Sequence, residues 1–388
     1  MSIVSLGSGN AVASRTMSNS DRGIEPLRTR SVHRAAAIEI HEPVGVFERI
    51  EEWLREHGFF AAGGEHLEAD LYLGFGLSST IRRGRSPGPP EPCPLPLAAC
   101  TVRQNEYVVS YDNNGDETFE IGPWSQTWRG ADYASAVERV REAISLGDVY
   151  QVNLVQHLSA SFTGDPGALA ARLAPLKPLN REPYRGDGWA VVSGSPELFL
   201  SRRGRRVWTC PIKGTRPAGG AAALAASPKD RAEHVMIVDL ERNDLGRLAE
   251  VGSVRVDELF AIRRWSGLWQ AESTLSATLA AGVGLADLLR AVWPGGSVTG
   301  APKLAAIDIA ARLEPVGRGP SMGAFGWIGH DPGGRLKIDL GLTIRTVAIT
   351  AGRAHVWAGG GIVWDSDPAA EVEEAAAKAA PIKAALAG

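Results

Sequence analysis

The 388-residue chain is short of cysteine, of long apolar runs and of surplus charge, and each shortage excludes something. Its three cysteines, Cys93, Cys100 and Cys210, form neither a CxxC pair nor a disulfide framework, so a reducing compartment, the cytoplasm, is the expected location. No apolar stretch approaches the length of a membrane span, and no membrane partner is expected. A formal charge of -3 offers no basic stripe to a phosphate backbone, which removes nucleic acid from the expected partners. Residues 1–35 are rich in Ser, Gly and Arg, lack the apolar centre of a secretory signal, and are expected to form a flexible tail.

What is present is material for a large core: 44% of residues are hydrophobic. Val46, Ile50, Trp53 and Leu54 recur at helical spacing, as do Tyr133, Val137, Val140 and Ile144 within 131–146, where Gly147 supplies the stop. A short apolar segment, LYLGFG, precedes RRGRSPGPPEPCPLP (82–96), which reads as a proline-rich surface connection. Further helices are expected over 230–245 and 368–386. WAVVSGSPELFLSRRGRRVWTC reads as two strands turning at Arg203 and Gly204, and LKIDLGLTIRTVAITAGRAHVWAGGGIV as a second pair turning near Ala351 and Gly352. The expected fold is α+β, with large, mainly antiparallel sheets flanked by helices. Residues 36–388 are expected to form one catalytic domain, of which 129–388 carries the motifs and 36–128 is less typical.

Three groupings carry chemistry. In the first pair of strands Glu197 falls opposite Cys210, and Lys213, at the strand's end, lies about three residues or roughly 10 Å further on. Strict alternation sets the two on opposite faces, but Pro211 cannot donate to a ladder and marks a bulge or strand end. Asp230 and Glu233 share one helix face, while Asp367 caps the last helix, Pro368 opens it, and Glu371, Glu374 and Lys378 form a stripe. Carboxylates from two helices suit a hard cation such as Mg²⁺. In the second pair Arg345 falls nearly opposite Ala358, beside Gly359, Gly360 and Gly361, where a guanidinium and free amides make a carboxylate cradle. GGSVTGAPK (295–303) is glycine-rich too, yet Ala301 and Pro302 part its last glycine from Lys303, so it is not an ATP or GTP loop.

Read in order, GDVYQVNL (147–154), SPELF (195–199), PIKGTRP (211–217), AEHVMIVDLERNDLGR (232–247), GGSVTGAPK (295–303), IRT (344–346) and AGGGIVWDSDP (358–368) resemble the motifs of the chorismate-utilising enzymes. The likeness covers about residues 130–385. Within that family the third position of the PIxGT motif separates the branches. A lysine there, as at Lys213, resembles component I of aminodeoxychorismate synthase, whereas the anthranilate, isochorismate and salicylate branches carry a small residue. Gln151 agrees, because the isochorismate and salicylate enzymes have a water-activating lysine there. Two positions depart from the family pattern: Gln270 stands for a histidine and Ser321 for a tyrosine.

The resemblance implies conversion of chorismate and ammonia to 4-amino-4-deoxychorismate, on the route to 4-aminobenzoate or folate. It implies Lys213 as a nucleophile at C2 and Glu197 as the acid for the leaving C4 hydroxyl. Mg²⁺ is expected on Glu233 and Glu374, with Asp230 and Glu371 nearby. Arg345, Lys378 and Gly359–Gly361 are expected to hold substrate carboxylates, and Thr215 and Gln151 to contact substrate. The glutaminase motif GxCxGxQ is not found, so a separate glutaminase subunit is the expected ammonia source. The alternatives are component I of anthranilate synthase and a catalytically silent regulatory relative.

Overall fold

A computed structural model describes residues 34–84, 87–104, 118–216, 219–265 and 268–387, and the expected tail lies almost wholly outside them. The chain runs β1 (Arg34–Ile40), α1 (Val46–Glu56), β2 (Leu67–Leu73), β3 (Ala98–Gln104), β4 (Phe119–Ile121) and β5 (Ser125–Gln126). Next come α2 (Gly130–Ser145), β6 (Gln151–Gly164), α3 (Pro166–Leu173), β7 (Tyr184–Arg185), β8 (Trp189–Ser193), β9 (Leu198–Arg203), β10 (Arg206–Cys210) and β11 (Ile212–Arg216). They are followed by α4 (Ala221–Ala225), α5 (Pro228–Gly246), β12 (Arg255–Trp265), β13 (Leu268–Thr278), α6 (Leu285–Val292), β14 (Gly300–Ala301) and α7 (Lys303–Leu313). The chain closes with β15 (Ala324–His330), β16 (Leu336–Leu342), β17 (Thr346–Thr350), β18 (Arg353–Ile362) and α8 (Pro368–Leu386).

Among the described residues these strands build two sheets. One has ten strands, ordered β1-β3-β2-β15-β16-β9-β10-β13-β11 with β12 also on β13; the other, of eight, runs β14-β6-β18-β17-β8-β7 with β4 and β5 on β6. The expected α+β class with antiparallel pairing is what the chain adopts.

Helices form where the apolar stripes and caps predict. Tyr133, Ala136, Val137 and Val140 of α2 are buried, and pack with Val152 and Leu154 of β6, Ile309 of α7, Ile362 of β18 and Ala375 of α8. Each large aliphatic so buried contributes about 1.5–3 kcal/mol. At the start of α5 the Ser227 hydroxyl accepts from the Asp230 amide at 3.2 Å, and at the start of α8 the Asp367 carboxylate accepts from the Ala370 amide at 2.8 Å. A larger cluster joins α1 and α6 to the ten-stranded sheet. The proline-rich connection is not purely superficial: Cys93 is buried in that cluster, and the Pro90 carbonyl accepts from the Gly317 amide at 2.9 Å.

Both expected strand pairs need correction. The strand expected over WAVVSGSPELFL is two: β8 belongs to the eight-stranded sheet and β9 to the ten-stranded one. The strand expected over LKIDLGLTIRTVAIT likewise divides into β16 and β17. Within these two stretches the chain therefore crosses between the sheets, at 194–197 and at 343–345. The crossings lie side by side, with the Gly194 amide donating to the Arg345 carbonyl at 2.8 Å and the Leu342 amide to the Glu197 carbonyl at 2.9 Å. A Cβ at Gly194 would sit 2.7 Å from the Arg345 oxygen, so only glycine permits this approach. Each crossing carries one of the predicted site residues.

Candidate active site

Glu197 ends the first crossing and is buried, 3% exposed. Its Oε1 accepts from the Ser297 hydroxyl at 2.6 Å and from the Ile212 amide at 3.3 Å. Burial raises its pKa above the usual carboxylate range, against the opposing pull of Ser297 and of the Lys213 charge.

Register corrects the expected place of Lys213. Cys210 pairs with Leu198 rather than Glu197, because the ladder shifts between Trp208 and Cys210. Pro211 does end β10, but the chain resumes at once as β11, which leaves β9 and pairs with β13. Lys213 is thus inside a strand, opposite Ala271. Desolvation lowers its pKa, the charge of Lys378 lowers it further, and Glu233, Glu197 and Glu374 pull the other way. A lysine so placed favours the neutral amine, the reactive form.

The two acidic helices converge on the same locus. Glu233 of α5 feels Lys213 and, from α8, Glu371; its pKa is raised, by burial first. Glu371 is also raised by burial, and its Oε1 accepts from the Ser366 hydroxyl at 2.6 Å. Glu374 is lowered, mainly by Lys378, whose Nζ lies 2.6 Å from it and donates to the Gly359 carbonyl at 2.9 Å. Gly360 forms the floor: a Cβ there would sit 3.2 Å from both Glu371 Oε2 and Glu374 Oε1 and 3.3 Å from Lys378 Nζ. Asp230 is held differently, by Arg216 at 2.5 Å, and lies behind Gly214 of β11.

Among the described residues no three His, Cys, Asp or Glu side chains are grouped to hold a metal ion. The donors nonetheless fit Mg²⁺, which uses one or two carboxylates and completes its shell with water and substrate oxygens. Raised pKa values at Glu233 and Glu371 mark buried acids whose ionised forms lack enough positive charge nearby.

Arg345, in the second crossing, adopts a left-handed backbone with φ of 48°. Burial lowers its pKa, and the nearby Glu197 opposes that shift. β6 pairs with one edge of Gly359–Gly361, while β17 begins only at Thr346, so among the described residues no strand pairs with the other edge. Gln151 packs against Gly361, where a Cβ would come within 2.0 Å of its Nε2. Its amide is fully buried and neither Oε1 nor Nε2 has a hydrogen-bond partner among the described residues. Thr215, beyond the shift that follows Lys213, pairs with Gln270. Gln270 is buried and its Nε2 has no partner among the described residues, whereas buried Ser321 turns its amide onto the Arg318 carbonyl at 2.8 Å.

Sequence reasoning missed Ser297 as the partner of Glu197. GGSVTGAPK stood out as a motif, but nothing in it tells which way the hydroxyl points.

The family model described as chorismate binding enzyme matches residues 97–384. The chain belongs to the chorismate-binding enzyme family. Among curated members it is 41% identical over 264 residues to "Anthranilate synthase component 1" of Streptomyces coelicolor, 65% of this chain and 50% of that protein. It is 38% identical over 266 residues to "Aminodeoxychorismate synthase component 1" of Bacillus subtilis, 66% and 55%. To the Escherichia coli protein of that same name it is 39% identical over 281 residues, 69% and 60%. The chain thus spans about half to three fifths of these relatives. The crystal structure of anthranilate synthase component I from Streptococcus pneumoniae superposes with a TM-score of 0.78 at 23% identity, over 92% of this chain and 93% of that one. That likeness establishes the chorismate-binding enzyme fold.

Proposed function

We propose that this chain aminates chorismate at C4, releasing 4-amino-4-deoxychorismate, with Lys213 as a transient nucleophile. The observation that carries the reading is the opposed displacement of two facing groups. Burial pushes the Lys213 amine toward neutrality and the Glu197 carboxyl toward its acid form. Both shifts enlarge the fraction of enzyme holding a neutral amine beside a protonated acid, the state that the chemistry needs.

The Lys213 amine attacks C2, both conjugated ring double bonds shift, and the C4–O bond breaks as Glu197 gives its proton to the departing hydroxyl, which leaves as water. The adduct nitrogen returns a proton to Glu197. Ammonia then attacks C4, both double bonds shift back, and the C2–N bond breaks as Glu197 gives that proton to the leaving lysine nitrogen; the proton shed by the new C4 ammonium restores the acid form of Glu197. A positioned acid contributes roughly 10²- to 10⁴-fold. Arg345, Lys378 and the open edge of Gly359–Gly361 hold the substrate carboxylates. Mg²⁺ would be held by Glu233 and Glu374, with Glu371 and Asp230 beside them, and supplies positive charge for the ring carboxylate. Ammonia comes from a separate glutaminase subunit; the relatives named "component 1" support a partner.

Relatives named anthranilate synthase, at identities as high as 41%, support a second reading, with anthranilate and pyruvate as products. Product mass spectra from purified chain, chorismate, Mg²⁺ and ammonium decide between them. Aminodeoxychorismate that disappears with chelator and returns with Mg²⁺ is expected. Anthranilate with stoichiometric pyruvate would replace the first reading by the second, and turnover undiminished in chelator would remove the metal.

A further inference from the structure

Arg318 and Glu314 form a buried ion pair that the proposed reaction leaves unused. Arg318 is 3% exposed, and it meets Glu314 through two parallel bonds, Nε to Oε2 at 2.9 Å and Nη2 to Oε1 at 2.7 Å. The remaining bonds of the pair go to backbone. Nη1 donates to the Val298 carbonyl at 2.9 Å and Nη2 to the Asn153 carbonyl at 2.6 Å, while Glu314 Oε1 accepts from the Val155 amide at 3.1 Å. The guanidinium stands over the Phe75 ring, 4.6 Å from its centre. These bonds continue a ladder where a strand stops. β14 pairs with β6 at Gln151 and Val152, and the Asn153 amide donates to the Thr299 carbonyl at 2.8 Å. The next carbonyl, of Val298, is then held by Arg318 and by the Asn153 side chain, the latter at 3.2 Å. Over Asn153–Val155 the opposite edge of β6 pairs with Gly359–Gly361. Ser297, one residue before Val298, donates to Glu197 at 2.6 Å. Taking two charges out of water is repaid only by good geometry, and apolar residues of similar volume often hold a fold as well. What an apolar pair cannot do is bind two backbone carbonyls at once.

We propose that Arg318 is a positioning residue for the proton donor: by binding the Val298 and Asn153 carbonyls together it fixes the Gly296–Val298 turn against β6, and so keeps the Ser297 hydroxyl on Glu197. This rests on the proposed role of Glu197 as proton donor. Arg318 acts through the turn and not through its field. The charges acting most on Glu197 are those of Lys213 of β11 and Arg345 of the second crossing, and Glu197 itself acts on Glu241 of α5. When the turn slips, Glu197 loses a donor that favours its carboxylate, and it keeps its proton to higher pH.

The test is kcat for chorismate consumption across pH, on the full chain with Mg²⁺ and saturating ammonia. Arg318→Lys keeps the charge beside Glu314 but replaces the planar fork by a single nitrogen. Its alkaline limit should lie about one pH unit above the parent's, whereas the same change made in Ser297→Ala should move the limit no further, since the hydroxyl it positions is already gone. Arg318→Met combined with Glu314→Leu leaves no lone buried charge, so it should stay folded and show the same upward move. A kcat lowered at every pH with the limit in place, or a limit that moves equally with and without Ser297, overturns the positioning role. A parent with no alkaline limit overturns Glu197 as the proton donor instead. The crystal structure of Arg318→Lys then decides the positioning: a Ser297 hydroxyl displaced from Glu197 upholds it, and one still on Glu197 overturns it.

Discussion

In the proposed reaction a single lysine and a single glutamate, 16 residues apart in sequence, carry the chemistry, and neither could have its environment read from its neighbours in the chain. Lys213 was conspicuous as a charge in PIKGTRP, but its depressed pKa depends on desolvation and on Lys378, 165 residues further on. Glu197 owes its holding to Ser297, a contact that no spacing rule reaches. Ser297→Ala removes a donor that favours the carboxylate, so Glu197 becomes a weaker acid. A hydrogen bond to a charged group is worth about 1.5–3 kcal/mol, so the alkaline limit of aminodeoxychorismate formation, where Glu197 loses its proton, should move up by about one to two pH units. The KM for chorismate should change little, because Arg345, Lys378 and the glycine run remain. Steady-state kinetics across pH check this, and an unmoved alkaline limit would show that Ser297 only packs.

At the scale of elements, the helices were legible and the strand pairings less so. α5 and α8 begin at Ser227 and Asp367, with Pro at the first helical position, and their local signals suffice. β9 and β10 required a register, and one shift between Trp208 and Cys210 moved the expected partner of Cys210 from Glu197 to Leu198. β18 was visible as a glycine run, but only the structure distinguishes its members. A Cβ at Gly359 would sit 1.8 Å from the Leu154 carbonyl oxygen on the paired strand, which cannot retreat without breaking the ladder. Gly359→Ala should therefore cost about 3 kcal/mol or more in urea unfolding. A Cβ at Gly360 meets only the ends of Glu371, Glu374 and Lys378, at 3.2 to 3.3 Å. Gly360→Ala should fold with stability within about 1 kcal/mol of the parent, yet need about tenfold more Mg²⁺ for half-maximal turnover. Equal losses of stability in the two variants would contradict this division of the glycine run.

For the whole molecule, the mixed class and antiparallel pairing were legible from strand patterns and hairpin turns, but the partition into two sheets was not. Continuous apolar runs such as WAVVSGSPELFL hide the place where a strand leaves one sheet for another, since both halves are buried. Two of the departures occur at Gly194–Glu197 and at Thr343–Arg345, and these two crossings bind each other through the Gly194 amide and the Glu197 carbonyl. That junction brings Glu197 and Arg345 together, and β11, α5 and α8 bring Lys213 and the carboxylates to meet them. The account stands or falls on whether this junction delivers a nucleophilic amine. Purified chain incubated with chorismate and Mg²⁺, without ammonia, should gain the mass of chorismate less one water. Fragmentation should place that gain on Lys213 in the peptide containing PIKGTRP, and Lys213→Ala should lose both the adduct and most aminodeoxychorismate formation. A Lys213→Ala enzyme that makes aminodeoxychorismate at the parent rate would contradict the claim.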